Sequence, residues 1–101
     1  MLIYNVTIKV DDIIAADWLQ WMQHEHIPGI MNTGCFVEFK MVRLLDIDDS
    51  EGPTYAVQYF ADTMHKYQQY IDQHAPRFRK ESTDKWGDRF IAFRTLMEVV
   101  K

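Results

Sequence analysis

An α+β fold, with one antiparallel four-stranded sheet carrying two helices on one face, follows from three features of this sequence. Four stretches alternate their side chains with period two, two stretches carry the wider helical period, and their order is strand, helix, strand, strand, helix, strand.

The first strand runs from Leu2 to Val10. Leu2, Tyr4, Val6, Ile8 and Val10 point one way, and Ile3, Asn5, Thr7 and Lys9 the other. Asp11 and Asp12 then offer helix caps at the end where negative charge is favoured. From Ile13 to about His26 the period becomes helical, with Ile14, Ala15, Trp18, Leu19, Trp21 and Met22 on one arc. Pro28 disfavours helical geometry at Ile27, so the helix is expected to end or kink there. Cys35 to Leu45 alternates again, Val37, Phe39 and Met41 against Phe36, Glu38, Lys40, Val42 and Leu44. The acidic stretch Asp46 to Glu51 closes in Gly52-Pro53, which is turn chemistry. Thr54 to Ala61 returns as a third strand and completes a hairpin. Asp62 or Thr63 caps a second helix with Met64, Tyr67, Gln68, Ile71, Ala75 and Phe78 on one face, and Pro76 inside it predicts a kink or restart. Arg89 to Val100 is the fourth strand. This βαββαβ order is the split βαβ, ferredoxin-like arrangement. A length of 101 residues fits one domain, 1–101.

Strand parity sets the expected faces. Tyr4, Val6, Ile8, Val37, Phe39, Met41, Val57, Tyr59, Phe93 and Met97 should meet the helices. The reverse face then carries Asn5, Thr7, Lys9, Phe36, Glu38, Lys40, Val42, Leu44, Gln58, Phe60, Arg94, Leu96 and Glu98. Phe36, Val42, Leu44, Phe60 and Leu96 would form a larger apolar patch than monomers usually expose. A second copy meeting it by two-fold symmetry would bury it, giving a homodimer through the open sheet face.

The net charge of −4 argues against nucleic acid and anionic membranes as partners. No apolar run approaches the length of a membrane span, and no secretory leader opens the chain. One cysteine, Cys35, permits no internal disulfide and suits a reducing compartment, so the cytoplasm is the expected location.

Several stretches taken together resemble an uncharacterised bacterial family, the domain-of-unknown-function family 4286. They are Ile3-Tyr4-Asn5-Val6-Thr7, Trp18-Leu19-Gln20-Trp21-Met22, His26-Ile27-Pro28, Thr33-Gly34-Cys35-Phe36, Tyr55-Ala56-Val57-Gln58-Tyr59, Ala75-Pro76-Arg77 and Phe90-Ile91-Ala92-Phe93-Arg94-Thr95. The resemblance spans essentially the whole chain and contains no catalytic signature. It implies a ferredoxin-like fold of the dimeric α/β-barrel kind. That wider group includes cofactor-free monooxygenases, small isomerases and haem-binding enzymes, and fold alone assigns none of these chemistries.

Five polar side chains are candidates for a ligand site: Asn5, His26, Glu38, Gln58 and Arg94. His24 and His26 stand two apart, on nearly opposite sides of a helix, so they do not form a chelating pair and no metal is expected. His26 alone, before the proline break, reads either as a structural histidine bonding carbonyls or as an inward-pointing functional group. At a helix C-terminus its pKa would rise modestly. Arg94, in mid-strand, is suited to holding a carboxylate on both nitrogens, from Glu38, Glu98 or a ligand. Asn5, Gln58 and Glu38 would line a small-molecule site beside it. Arg77, Arg79, Lys80, Lys85 and Arg89 read as a solvated basic helix face or an anion site. No phosphate-binding glycine loop, dinucleotide fingerprint or hydrolase elbow is present, and no cofactor is expected. Three functions stay open: a dimer binding a small organic molecule on the open face, a cofactor-free isomerase or monooxygenase-like enzyme, and an interaction module.

Overall fold

The computed structural model describes residues Met1–Lys101. Strands β1 (Leu2–Val10), β2 (Glu38–Arg43), β3 (Thr54–Ala61) and β4 (Phe90–Glu98) form one sheet in the order β2-β3-β1-β4. Every neighbouring pair is antiparallel. Helical residues lie between β1 and β2 and between β3 and β4, and pack on one face. No helix is long and apolar enough to cross a membrane.

The first helical run departs from its expected end. α1 (Ala15–Trp21) passes into a π turn (Met22–His26) and then into α2 (Ile27–Met31). The Ile27 N–H donates to the Met22 carbonyl, five residues back rather than four. Pro28 therefore does not stop the helix. It sits in the first turn of α2, where its missing N–H is not needed. Asp11 opens the preceding turn by accepting a bond from the Ile13 N–H at 2.9 Å, and α1 begins beyond it.

The second run behaves as its sequence implies. The Thr63 hydroxyl accepts from the Lys66 N–H at 3.1 Å and caps α3 (Met64–Gln73). The chain breaks at His74 and restarts as α4 (Ala75–Trp86), with Pro76 in its first turn.

The core lies between these helices and the sheet. Trp18, Tyr59, Ile27, Val10, Val57 and Cys35 are its largest fully buried side chains. An aromatic cluster fills its centre, with Phe36 against Tyr70 at 4.9 Å and Tyr59 at 5.2 Å between ring centroids. Phe36 is thus a core residue. It precedes β2, where the backbone is irregular and strand parity does not apply.

β4 is inverted relative to expectation. Val6 pairs with Arg94, Tyr4 with Leu96 and Leu2 with Glu98, so these three β4 residues share the helix-facing side with their partners. Ile91, Phe93, Thr95 and Met97 take the open face. Both faces of β4 carry large apolar groups, so period two locates the strand without saying which side is inward. Pairing of Val10 with Phe90 decides it.

The open face has a simple layout. Lys40, Gln58, Asn5 and Thr95 form a polar row across all four strands. On one side runs Val42-Ala56-Thr7-Phe93, and on the other Glu38-Phe60-Ile3-Met97. Phe93 is 65% exposed and Ile91 57%.

Candidate functional site

The five candidate residues separate into two groups. Asn5, Glu38 and Gln58 are on the open face, where the Asn5 amide donates to the Thr7 hydroxyl at 3.0 Å. His26 and Arg94 are on the opposite side of the sheet, lining one cavity between it and the helices. The sheet separates the two groups.

That cavity has a volume of about 40 Å³. A water needs roughly 10–15 Å³ measured this way, so there is room for a few waters or one small group. β1 contributes Tyr4, Val6 and Ile8 to its wall, β3 Val57 and Tyr59, and β4 Arg94. The helices contribute Met22, His26, Ile30, Tyr70, Phe78, Arg79 and Ser82. Arg79 and Arg94 are exposed residues, so the cationic side of the cavity meets solvent.

His26 is held by aromatic rings. It stacks on Trp21 with centroids 4.6 Å apart and meets the edge of Phe78 at 5.8 Å. Gly29 lets Phe78 come this close, since a Cβ there would stand 3.0 Å from the Phe78 ring. The His26 Nδ1 is buried and has no hydrogen-bond partner. Burial, and after it the positive charge of Arg94, lower its pKa to about 4. The rise expected at a helix C-terminus does not occur, because the helical run continues to Met31. His26 is a neutral imidazole at pH 7, able to accept a proton.

The other polar groups are hydroxyls and guanidinium ions. Arg79 donates to the Tyr4 hydroxyl at 3.2 Å. Burial holds the Tyr70 and Tyr59 hydroxyls well above the ordinary tyrosine range, so both stay protonated and can donate hydrogen bonds. The sequence places Arg79 in a basic run read as a solvated helix face or an anion site, without singling it out from that run, and takes Tyr4 as packing alone. One signal was present: Arg79 lies four residues after Ala75, and Phe78 four before Ser82, which places an arginine beside the buried stripe of α4.

Solved structures similar to this chain share its fold over nearly its full length. An EthD (ethyl tert-butyl ether) family protein from Bacillus halodurans C-125 is 13% identical, with a TM-score of 0.70, 99% of this chain and 100% of that one covered. SnoaB, a cofactor-independent oxygenase from Streptomyces nogalater, is 13% identical, with a TM-score of 0.69 and coverage of 99% and 94%. A dimeric ferredoxin-like protein from an uncultured marine organism is 11% identical, with a TM-score of 0.71 and coverage of 100% and 96%. At such identities the likeness establishes the ferredoxin-like fold alone. No curated protein matches the chain. The model of one family, described as Domain of unknown function (DUF4286), matches residues 1–100, and this chain belongs to that family.

Proposed function

We propose that this chain is a homodimeric small-molecule-binding protein with a cofactor-free acid–base site in the cavity between sheet and helices. The observation that carries the reading is one cavity lined by both Arg94 and His26, an imidazole whose Nδ1 is buried without a partner. A buried polar atom without a partner is costly, and a ligand that hydrogen-bonds the imidazole offsets that cost. A neutral imidazole can share the proton of an acidic ligand through a hydrogen bond, and nearby guanidinium groups stabilise negative charge that develops on it. SnoaB, described as a cofactor-independent oxygenase, has the same fold. Of the sequence candidates, His26 and Arg94 serve this site; Glu38 lies across the sheet from it.

A phenol titration tests the reading. Phenol, its hydroxyl entering the cavity and its ring left at the opening, is expected to raise Tm saturably and to move the His26 ring resonances in NMR spectra, since a ligand selective for the folded state stabilises it. His26→Phe should abolish the rise in Tm while staying folded, because the ring environment is aromatic. A broad panel of small phenols and enols that leaves the His26 signals unmoved would refute the site.

The homodimer forms through the open sheet face. Ile3, Val42, Phe60, Ile91, Phe93 and Met97 supply an apolar surface there, and the polar row through Asn5 and Gln58 gives two-fold partners hydrogen-bonding groups. Similar structures include proteins described as dimeric. Phe93→Asp is expected to cost more than about 2 kcal/mol of association, as for a central aromatic in an interface. Sedimentation at micromolar concentration should give twice the chain mass for the wild type and the single-chain mass for the folded variant. A wild type that sediments as a monomer at high concentration would overturn the dimer.

A further inference from the structure

The cavity wall has an unbalanced charge. Arg79 and Arg94 both line it, and none of the residues around it is an aspartate or glutamate. The ion pairs of the chain lie elsewhere, at Arg43–Asp49, Lys80–Asp84 and Arg89–Asp11. Two guanidinium groups therefore share one small space without a counter-ion, in a chain whose net charge is −4. Acidic residues are plentiful, so their absence from this wall is a local feature.

We propose that the cavity takes the carboxylate group of an organic acid, held by Arg79 and Arg94, with the body of the acid left at the solvent-facing opening. This rests on the cavity being the ligand site and goes further by naming the ligand's chemistry. Guanidinium groups present paired N–H donors that match both oxygens of a carboxylate. Arg79 already directs one nitrogen to the Tyr4 hydroxyl at 3.2 Å, which fixes part of its orientation. A cavity of about 40 Å³ takes one such group, and its largely apolar wall disfavours a fully hydrated inorganic anion such as phosphate.

Benzoate, benzyl alcohol and inorganic phosphate are the probes, each titrated into the full-length protein at pH 7. Affinity is read by calorimetry and location by the His26 ring resonances. Benzoate is expected to bind and shift those resonances, and benzyl alcohol to bind at least tenfold more weakly. Arg79→Gln and Arg94→Gln should each weaken benzoate about tenfold or more, the usual effect of losing one charged hydrogen bond. Both arginines are exposed residues, so the variants are expected to fold, which circular dichroism checks. If benzyl alcohol binds as well as benzoate at the same resonances, the carboxylate assignment falls and the cavity stands as a ligand site. Phosphate binding more tightly than benzoate would also overturn the assignment. If none of the three moves His26 and phenol does not either, both readings fail together.

Discussion

Gly52→Ala is expected to be the most damaging single-methyl substitution in this protein, lowering the unfolding free energy by about 3 kcal/mol or more. Gly52 has a φ of 145°, a conformation that side chains with a Cβ rarely adopt. A Cβ added there would stand 1.8 Å from the Val10 carbonyl oxygen and 2.8 Å from the Asp12 nitrogen. Both obstacles are backbone, so no side-chain rotation relieves them. Nor can the loop easily retreat. The Val10 N–H donates to the Pro53 carbonyl and the Asp12 N–H to the Glu51 carbonyl, each at 3.0 Å. These bonds tie the loop to the end of β1 on both sides of the glycine. Urea unfolding of the two proteins at pH 7 checks the expectation. A loss under about 1 kcal/mol would mean that the loop leaves β1 at little cost, against the usual penalty for orphaned buried backbone groups.

The second large effect is a loss of stability in mild acid that belongs to one histidine. His26 has a pKa of about 4 when folded, against 6.5 as its ordinary value. The unfolded chain thus binds the proton more readily than the native one. The stabilisation is fully present above pH 6.5 and disappears progressively as pH falls toward 4. Integrated over that interval the loss is about 3 kcal/mol. His26→Phe should remove most of this slope, because phenylalanine keeps the stacking on Trp21 and has nothing to protonate. Unfolding free energies from pH 7 to pH 4 test it. Identical slopes for wild type and variant would show that the carboxylates, not His26, govern the acid response.

The fold was readable because its evidence is periodic and repeated. Alternation in Leu2–Val10 and Thr54–Ala61, the cap at Thr63 and the break before Pro76 each rest on a local rule that the structure obeys. The site was readable only in part, for three physical reasons. In β4, Phe90, Ala92 and Leu96 are nearly as apolar as Ile91, Phe93 and Met97, so alternation could not say which set meets the helices. Arg94 changed sides on that account. In the first helix, Pro28 signalled an end that a π turn avoids, which keeps His26 inside a helix rather than at its terminus. Arg79 and Tyr4 meet across 75 positions of sequence, a proximity no local pattern records. What sequence did supply was both His26 and Arg94 among its candidates, although it set the arginine on the open face with Asn5, Glu38 and Gln58.

The turn from Met22 to His26 also bears on how the chain tolerates changes in length. A turn closed over five residues holds one more than the ordinary helical spacing requires. Removing one of its exposed residues would let the turn close with the ordinary spacing of four, and the portions before and after would keep their facing. Trp21 and Ile30, each seated in the interior from opposite ends of the turn, would then both keep their places. The turn therefore absorbs the loss of a single codon, whereas the same loss in the middle of α4, which holds no spare residue, would turn Phe78 and Trp86 about 100° relative to each other and dismantle the wall of the cavity.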